Sequence, residues 1–209
     1  LPDGILGPIK NKPEYINGRL LCPSSREGKG WRAVIEYTDD LGKTWHSTGP
    51  LPADSAYMTR DLERLQPLYS IQPSILRHPD GRLQILCRSR NSYLTTSWSD
   101  DNGTTWSRMT LCDVPNNNSG TDAVTLSDGR HALVYNDFAT LPGTPKGPRS
   151  PLNVALSSDG LDWKRVLTLE DSPVSQYSYP SMIQGRDGTI HIVYTWRRQR
   201  IKHVAVAPF

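Results

Sequence analysis

Apolar and polar residues alternate along most of this chain in short runs, each bounded by Gly, Asp, Asn, Ser or Pro. Alternation with a period of two is the mark of a half-buried β-strand, and such punctuation is what separates strands by tight turns. The pattern predicts three well-marked sets of strands: 71–76, 82–87 and 93–98; 121–126, 131–135 and 152–156; and 179–183, 189–195 and 201–205. Asp80-Gly81-Arg82, Asp128-Gly129-Arg130 and Asp187-Gly188-Thr189 are hairpin signals between the first two strands of a set, and Asn17-Gly18-Arg19 is a fourth of the same kind. No segment sustains a helical period; residues 59–65 hold one or two helical turns at most.

A longer repeat is laid over these hairpins. Thr38-Asp39-Asp40-Leu41-Gly42-Lys43-Thr44-Trp45 is answered by Ser99-Asp100-Asp101-Asn102-Gly103-Thr104-Thr105-Trp106, and in shortened form by Ser157-Ser158-Asp159-Gly160-Leu161-Asp162-Trp163. The copies lie roughly 60 residues apart, a spacing suited to one antiparallel blade of three or four strands. The box has a local logic. An Asp two residues before Gly can accept from turn amides, the Gly permits positive φ, and the Trp closes the hairpin against the sheet. Asp40, Asp101 and Asp159 are therefore expected to be structural.

The box resembles the Asp-box, or BNR repeat, of sialidases and related propellers. Gly7-Pro8-Ile9-Lys10-Asn11-Lys12-Pro13, Gln72-Pro73-Ser74-Ile75, residues 117–124 and Tyr177-Ser178-Tyr179-Pro180-Ser181 extend the resemblance over essentially the whole chain. It implies an all-β fold, a six-bladed β-propeller of the sialidase type with about four blades in this chain. One domain over 1–209 is expected, with blades near 1–52, 67–112, 119–170 and 176–209. On this reading two blades of a longer protein precede Leu1, and the segment by itself would expose a sheet edge and aggregate.

Composition narrows the function classes. The net charge of +3 is too small to argue for nucleic acid, and only 36% of the residues are hydrophobic, with no apolar run long enough for a membrane helix. Cys22, Cys87 and Cys112 have no metal spacing and are odd in number, so buried thiols are expected rather than a disulfide framework. Nothing in the sequence asks for a metal or another cofactor. The compartment is not legible, because the chain starts Leu1-Pro2-Asp3 and shows no targeting segment.

Antiparallel topology sorts the polar residues by face. The starts of first strands, the ends of second strands and the starts of third strands share one face, opposite the Asp-boxes. That face collects Lys10, Asn11, Lys12, Gln72, Arg88, Arg90, Asn117, Ser119, Asp122, Asn136, Asp137, Arg149, Tyr177, Tyr179, Arg197 and Arg198. Its charged members are mostly basic, which favours an anionic partner, since guanidinium groups bind carboxylates in bidentate fashion.

The resemblance implies more specific roles. Sialidases hold a substrate carboxylate with three arginines and use a tyrosine nucleophile activated by an acid, an exception to the two-carboxylate scheme. Arg88 and Arg149 match two of the arginines, and Tyr177 in Gln176-Tyr177-Ser178 matches the nucleophile, with Tyr179 as the alternative. Gln72 stands where the activating glutamate is expected and cannot take a proton. Asp122 is either a replacement base or an acceptor for loop amides. Lys10, Lys12, Asn136, Asp137 and Arg197 complete the expected substrate contacts. The first arginine and the acid aspartate of such sites have no counterpart here.

The implied activity is glycoside hydrolysis on a terminal acidic sugar by a retaining, tyrosine-nucleophile mechanism. The alternatives are a non-catalytic propeller binding acidic glycan or a protein, and a same-fold enzyme with lyase or other glycosidase chemistry. Asn117-Asn118-Ser119 and Asn102-Gly103-Thr104 fit a glycosylation sequon, and Arg197-Arg198-Gln199-Arg200 is a basic run more suited to an anionic ligand than to nucleic acid.

Overall fold

Four antiparallel sheets follow one another along the chain in this computed structural model, which describes residues 1–28, 30–58, 65–141, 144–173 and 176–209. The first holds β1 (Glu14–Ile16), β2 (Arg19–Arg26), β3 (Arg32–Thr38) and β4 (His46–Ser47) in that order. After a small hairpin of β5 (Tyr57–Met58) and β6 (Leu65–Gln66), the second runs β7 (Ser70–Arg77), β8 (Leu83–Ser89), β9 (Tyr93–Ser99) and β10 (Thr110–Pro115). The third holds β11 (Asp122–Thr125), β12 (His131–Tyr135), β13 (Leu152–Ser157) and β14 (Lys164–Glu170). The fourth has three strands, β15 (Tyr177–Gln184), β16 (Ile190–Trp196) and β17 (Arg200–Val206). This is an all-β propeller arrangement of four blades. The helical turns considered for 59–65 fall largely outside the described residues. No helix is long and apolar enough to cross a membrane among the described residues.

Each blade is a meander because its strands are joined by the tight turns read above, with Gly18, Gly81, Gly129 and Gly188 all at positive φ. The blades bury their faces against one another. Leu21, Ile35, Ile75 and Ile85 form a core between the first two; Leu76, Leu86, Ala123 and Leu133 between the second and third; Val134, Val154, Met182 and Ile192 between the third and fourth. Cys22, Cys87 and Cys112 are free and buried on strands.

The Asp-boxes close the β3–β4, β9–β10 and β13–β14 connections. In the second, Asp101 accepts from the Thr105 amide and hydroxyl (2.8 and 2.6 Å), Ser99 Oγ accepts from the Gly103 amide (2.9 Å), and Trp106 Nε1 donates to the Gly103 carbonyl (3.1 Å). The first box repeats this with Asp40, whose carboxyl is held down to about 2 by the Thr44 amide and hydroxyl. Two boxes also staple neighbouring blades. Gly103 packs on Leu21, while Gly160 accepts from Gln84 Nε2 (2.9 Å) on the preceding blade.

Gly160 is the tightest of these contacts. Its φ is +72°, and a Cβ there would stand 1.9 Å from Gln84 Oε1. Gly160→Ala in the full-length protein is therefore expected to cost about 2 kcal/mol or more, combining left-handed strain with displacement of Gln84. Urea denaturation read by tryptophan fluorescence checks this; an unchanged midpoint would show that the staple does not contribute.

Candidate functional site

The site is built on irregularities in the inner strands. β7 pairs with β8 in register except between Ile71 and Ser74, and β15 pairs with β16 except between Ser178 and Ser181. Each interruption contains an X-Pro pair, Gln72-Pro73 and Tyr179-Pro180, and the residue before the proline is left-handed (φ 57° and 52°). Bulges of this type re-aim one side chain, and the edge position of both strands lets them accept a proline that cannot donate to a ladder. In the first blade Lys10 is likewise left-handed (φ 69°).

These three side chains converge at Gly120. A Cβ on that residue would lie 3.2 Å from each of Gln72 Oε1, Lys10 Cε and Tyr179 Cδ1. The absent side chain leaves room for the three to meet.

Around them stand the arginines. Arg88, 7% exposed, donates through Nε and Nη2 to Asn118 Oδ1 and O (3.2 and 2.9 Å) and through Nη1 to Gln72 Oε1 (3.4 Å), and lies 4.8 Å from the Trp31 ring. Burial lowers its pKa, while Tyr179 raises it. Arg149 sits over the Tyr179 ring at 5.4 Å. Burial pushes the Tyr179 phenol upward, but hydrogen bonding to Arg88 and the charges of Arg88 and Arg149 outweigh it, so its pKa falls below the usual value.

Lys10 donates to the carbonyls of Thr121 and Pro180, the latter at 2.7 Å. Burial lowers its pKa to about 8; Asp122 opposes this, and Lys12 and Arg88 add to it. The cluster is thus cationic and short of negative charge.

Several expected site residues have other work. Tyr177 is fully buried among Met182, Ile192 and Tyr194, with its hydroxyl unpartnered among the described residues, because it precedes the bulge and points into the sheet interface. Tyr179, 44% exposed, is the phenol beside the arginines. Asp122 is 1% exposed and occupied at both oxygens: Ser74 Oγ donates to Oδ1 (3.2 Å), and Lys12 Nζ and the Met182 amide (2.7 Å) donate to Oδ2. It is an acceptor in the framework, not a free base, and it takes Lys12 with it. Asn136 is fully buried, accepting from Ser119 Oγ (2.7 Å) and donating to Pro151 O and Tyr177 O (3.0 and 3.1 Å). Asp137 faces Arg165 (3.4 Å) in a separate cleft with Tyr135 and Trp163, because the chain turns outward after β12. Arg90 stacks on Trp31 at 4.0 Å, and Asn117, 1% exposed and donating to Pro148 O, is inaccessible as a glycosylation acceptor. Arg197 lies in a basic cleft beside Arg149.

Gly120 and Asn118 are contributors that the sequence reading did not single out. The signal for Tyr179 over Tyr177 was present: Gln72-Pro73-Ser74-Ile75 and Tyr179-Pro180-Ser181-Met182 are the same phrase in two blades.

The BNR repeat-like domain family matches the chain over residues 1–192. The chain belongs to that family. Its BNR propeller resembles the NanB sialidase of Streptococcus pneumoniae (TM-score 0.67, 14% identity, 93% of this chain and 30% of that one). It also resembles the leech intramolecular trans-sialidase (0.66, 19%, 93% and 31%) and that of Ruminococcus gnavus in complex with oseltamivir carboxylate (0.66, 19%, 93% and 42%). The chain spans less than half the length of these solved relatives. At such identities the likeness establishes the fold of this BNR domain. Among curated proteins, none matches.

The depressed phenol yields a direct expectation. In the full-length protein, Arg149→Ala removes a positive charge from the Tyr179 ring and raises its pKa. Ultraviolet-difference titration, with Tyr179→Phe identifying the signal, reads the shift. A titration that stays in place would show that Arg149 does not polarise the phenol.

Proposed function

We propose that the protein is a sialidase-like glycoside hydrolase acting on a terminal acidic sugar, with Tyr179 as the nucleophile. The observation that carries this reading is one accessible phenol lying against two arginines, Arg88 and Arg149, with Lys10 beside it. Arginines suit a carboxylate on the sugar, and a neutral phenol approaches an anionic substrate without the repulsion a carboxylate nucleophile would meet. In this reading Arg88 and Arg149 clamp the substrate carboxylate. Tyr179 Oη, its proton released to solvent, attacks the anomeric carbon as the glycosidic C–O bond breaks and the leaving oxygen takes a proton from water; a second water then cleaves the tyrosyl–sugar bond, restores the phenol and releases the sugar with retention. Gln72 orients Arg88 through its Oε1, and the two guanidiniums rather than a carboxylate lower the phenol's proton affinity.

A non-catalytic propeller binding acidic glycan is the second reading. Gln72 favours it, because its amide cannot take the phenol proton and Asp122 is occupied at both oxygens. Full-length protein tested against a panel of acidic glycans separates the two: binding without product release supports the second.

A pair of conservative variants tests the nucleophile. Tyr179→Phe is expected to lower turnover by about 10³-fold or more, the scale of losing a nucleophile. Tyr177→Phe removes only a buried, unpartnered hydroxyl and should keep both turnover and stability. The reverse result would move the nucleophile to Tyr177.

Lys10 sets a pH dependence. With its pKa lowered to about 8, it is charged below that pH and neutral above it. Affinity for an acidic ligand should therefore fall as pH rises through about 8, and Lys10→Met should flatten that fall. Calorimetric titration across this range checks both; an identical pH profile in wild type and variant would remove Lys10 from the site.

A further inference from the structure

Beside the Tyr179 site lies a second cleft of about 500 Å³, lined in part by Lys146, Arg149, Gln176, Arg197 and Arg198. No carboxylate among the described residues lines it. Among the described residues, none of these four cations forms an ion pair, although surface arginines elsewhere, such as Arg19, Arg82 and Arg130, do. Like charges gathered in a walled cleft raise the local potential for anions.

The turn carrying two of the cations is an independent observation. Arg197 and Arg198 join β16 to β17 with φ of 53° and 54°, and the Gln199 amide closes the turn on the Trp196 carbonyl (3.0 Å). Two successive left-handed residues make a type I′-like turn, whose favoured occupants are Asn-Gly because a Cβ is strained there. Placing arginine at both positions runs against the backbone's preference, and such conflicts gather at functional sites.

The arrangement is also anchored. The Arg197 amide donates to Gln176 O (2.7 Å), its Nη2 to Ser172 Oγ (3.3 Å), and its guanidinium stacks on Trp196 at 4.4 Å. Its Nε is buried and has no acceptor among the described residues. On the opposite wall the Gly147 amide donates to Asn117 O (3.0 Å), and a Cβ at Gly147 would meet Ala139 O at 2.3 Å, so the segment bearing Lys146 and Arg149 is held close.

We infer that this cleft is a second oxyanion subsite, which holds a sulfate, phosphate or carboxylate group carried on a neighbouring sugar of the glycan, with Arg149 shared between the two sites. The ligand is thus dianionic: one carboxylate against Arg88 and Arg149, and a second oxyanion against Arg197, Arg198 and Lys146. This rests on reading the Tyr179 face as an acidic-glycan site.

The test uses the full-length protein carrying Tyr179→Phe, so that binding is measured without turnover. Inorganic sulfate, inorganic phosphate, a sulfated uronic-acid oligosaccharide and its desulfated counterpart are titrated into it calorimetrically. The doubly substituted Arg197→Asn/Arg198→Gly protein restores the favoured turn sequence while removing both charges. It should bind its preferred oxyanion and oligosaccharide about tenfold or more weakly, the scale of losing a charge-assisted hydrogen bond. Its Tm should be equal to or above that of the parent, since the turn strain is relieved. Lys146→Ala, on the other wall, should weaken the same probes without changing the turn. The ranking of sulfate, phosphate and carboxylate probes identifies the group. Unchanged affinity for every probe in both variants overturns the inference, as does a fall in Tm with affinity retained, which would make the arginines structural. Failure of the catalytic reading appears separately, as turnover that survives Tyr179→Phe.

Discussion

One buried carboxylate ties the four blades together. Asp122 opens the inner strand of the third blade and accepts from Lys12 of the first, Ser74 of the second and the Met182 amide of the fourth. Ser74 Oγ in turn accepts from Asn11 Nδ2 (2.8 Å) and from the Ala123 amide (3.1 Å). A charge taken out of water this completely is tolerable only when its lone pairs are used, and here they are. The pairing fixes the register of the inner strands against each other. Hydrophobic contacts between blades are non-directional, so they could not do this alone.

The functional surface depends on that register. The bulges that re-aim Gln72 and Tyr179 lie in strands pinned by Ser74 and Met182, two and three residues further on. Lys10 reaches the same place because Lys12 and Asn11 are anchored. The result is a concentration of positive charge that Asp122 offsets only in part. Lys10 and Arg88 both have their proton affinity lowered by burial, and the charges of Lys12 and Arg88 add to the lowering at Lys10. Gathering like charges in this way costs stability through their mutual repulsion.

Much of the framework was legible from local chemistry. The strand sets, the Asp-Gly hairpins and the boxes depend on neighbours a few residues away, so period and turn residues predicted them. Arg88 and Arg149 were legible as members of one face. Asn136 and Asp137 were less so: alternation and topology put them near the ligand face, but nothing local says that Asn136 turns inward to Ser119 and Tyr177 while Asp137 turns outward to Arg165. Tyr177 and Tyr179 differ by one bulge. A regular strand puts both on the same face, and the insertion separates them, one into the core and one beside the arginines.

The sequence by itself determined an all-β blade architecture, the structural character of the box aspartates and the basic bias of one face. These follow from short-range spacing and from antiparallel geometry. Tertiary structure alone decided which phenol is accessible, that Asp122 is a joint between blades instead of a base, and that Lys146, Arg149, Arg197 and Arg198 share a cleft. Each of those depends on contacts between residues far apart in the chain, where the energy of a buried charge or a strained turn is set by what the neighbouring strand happens to bring.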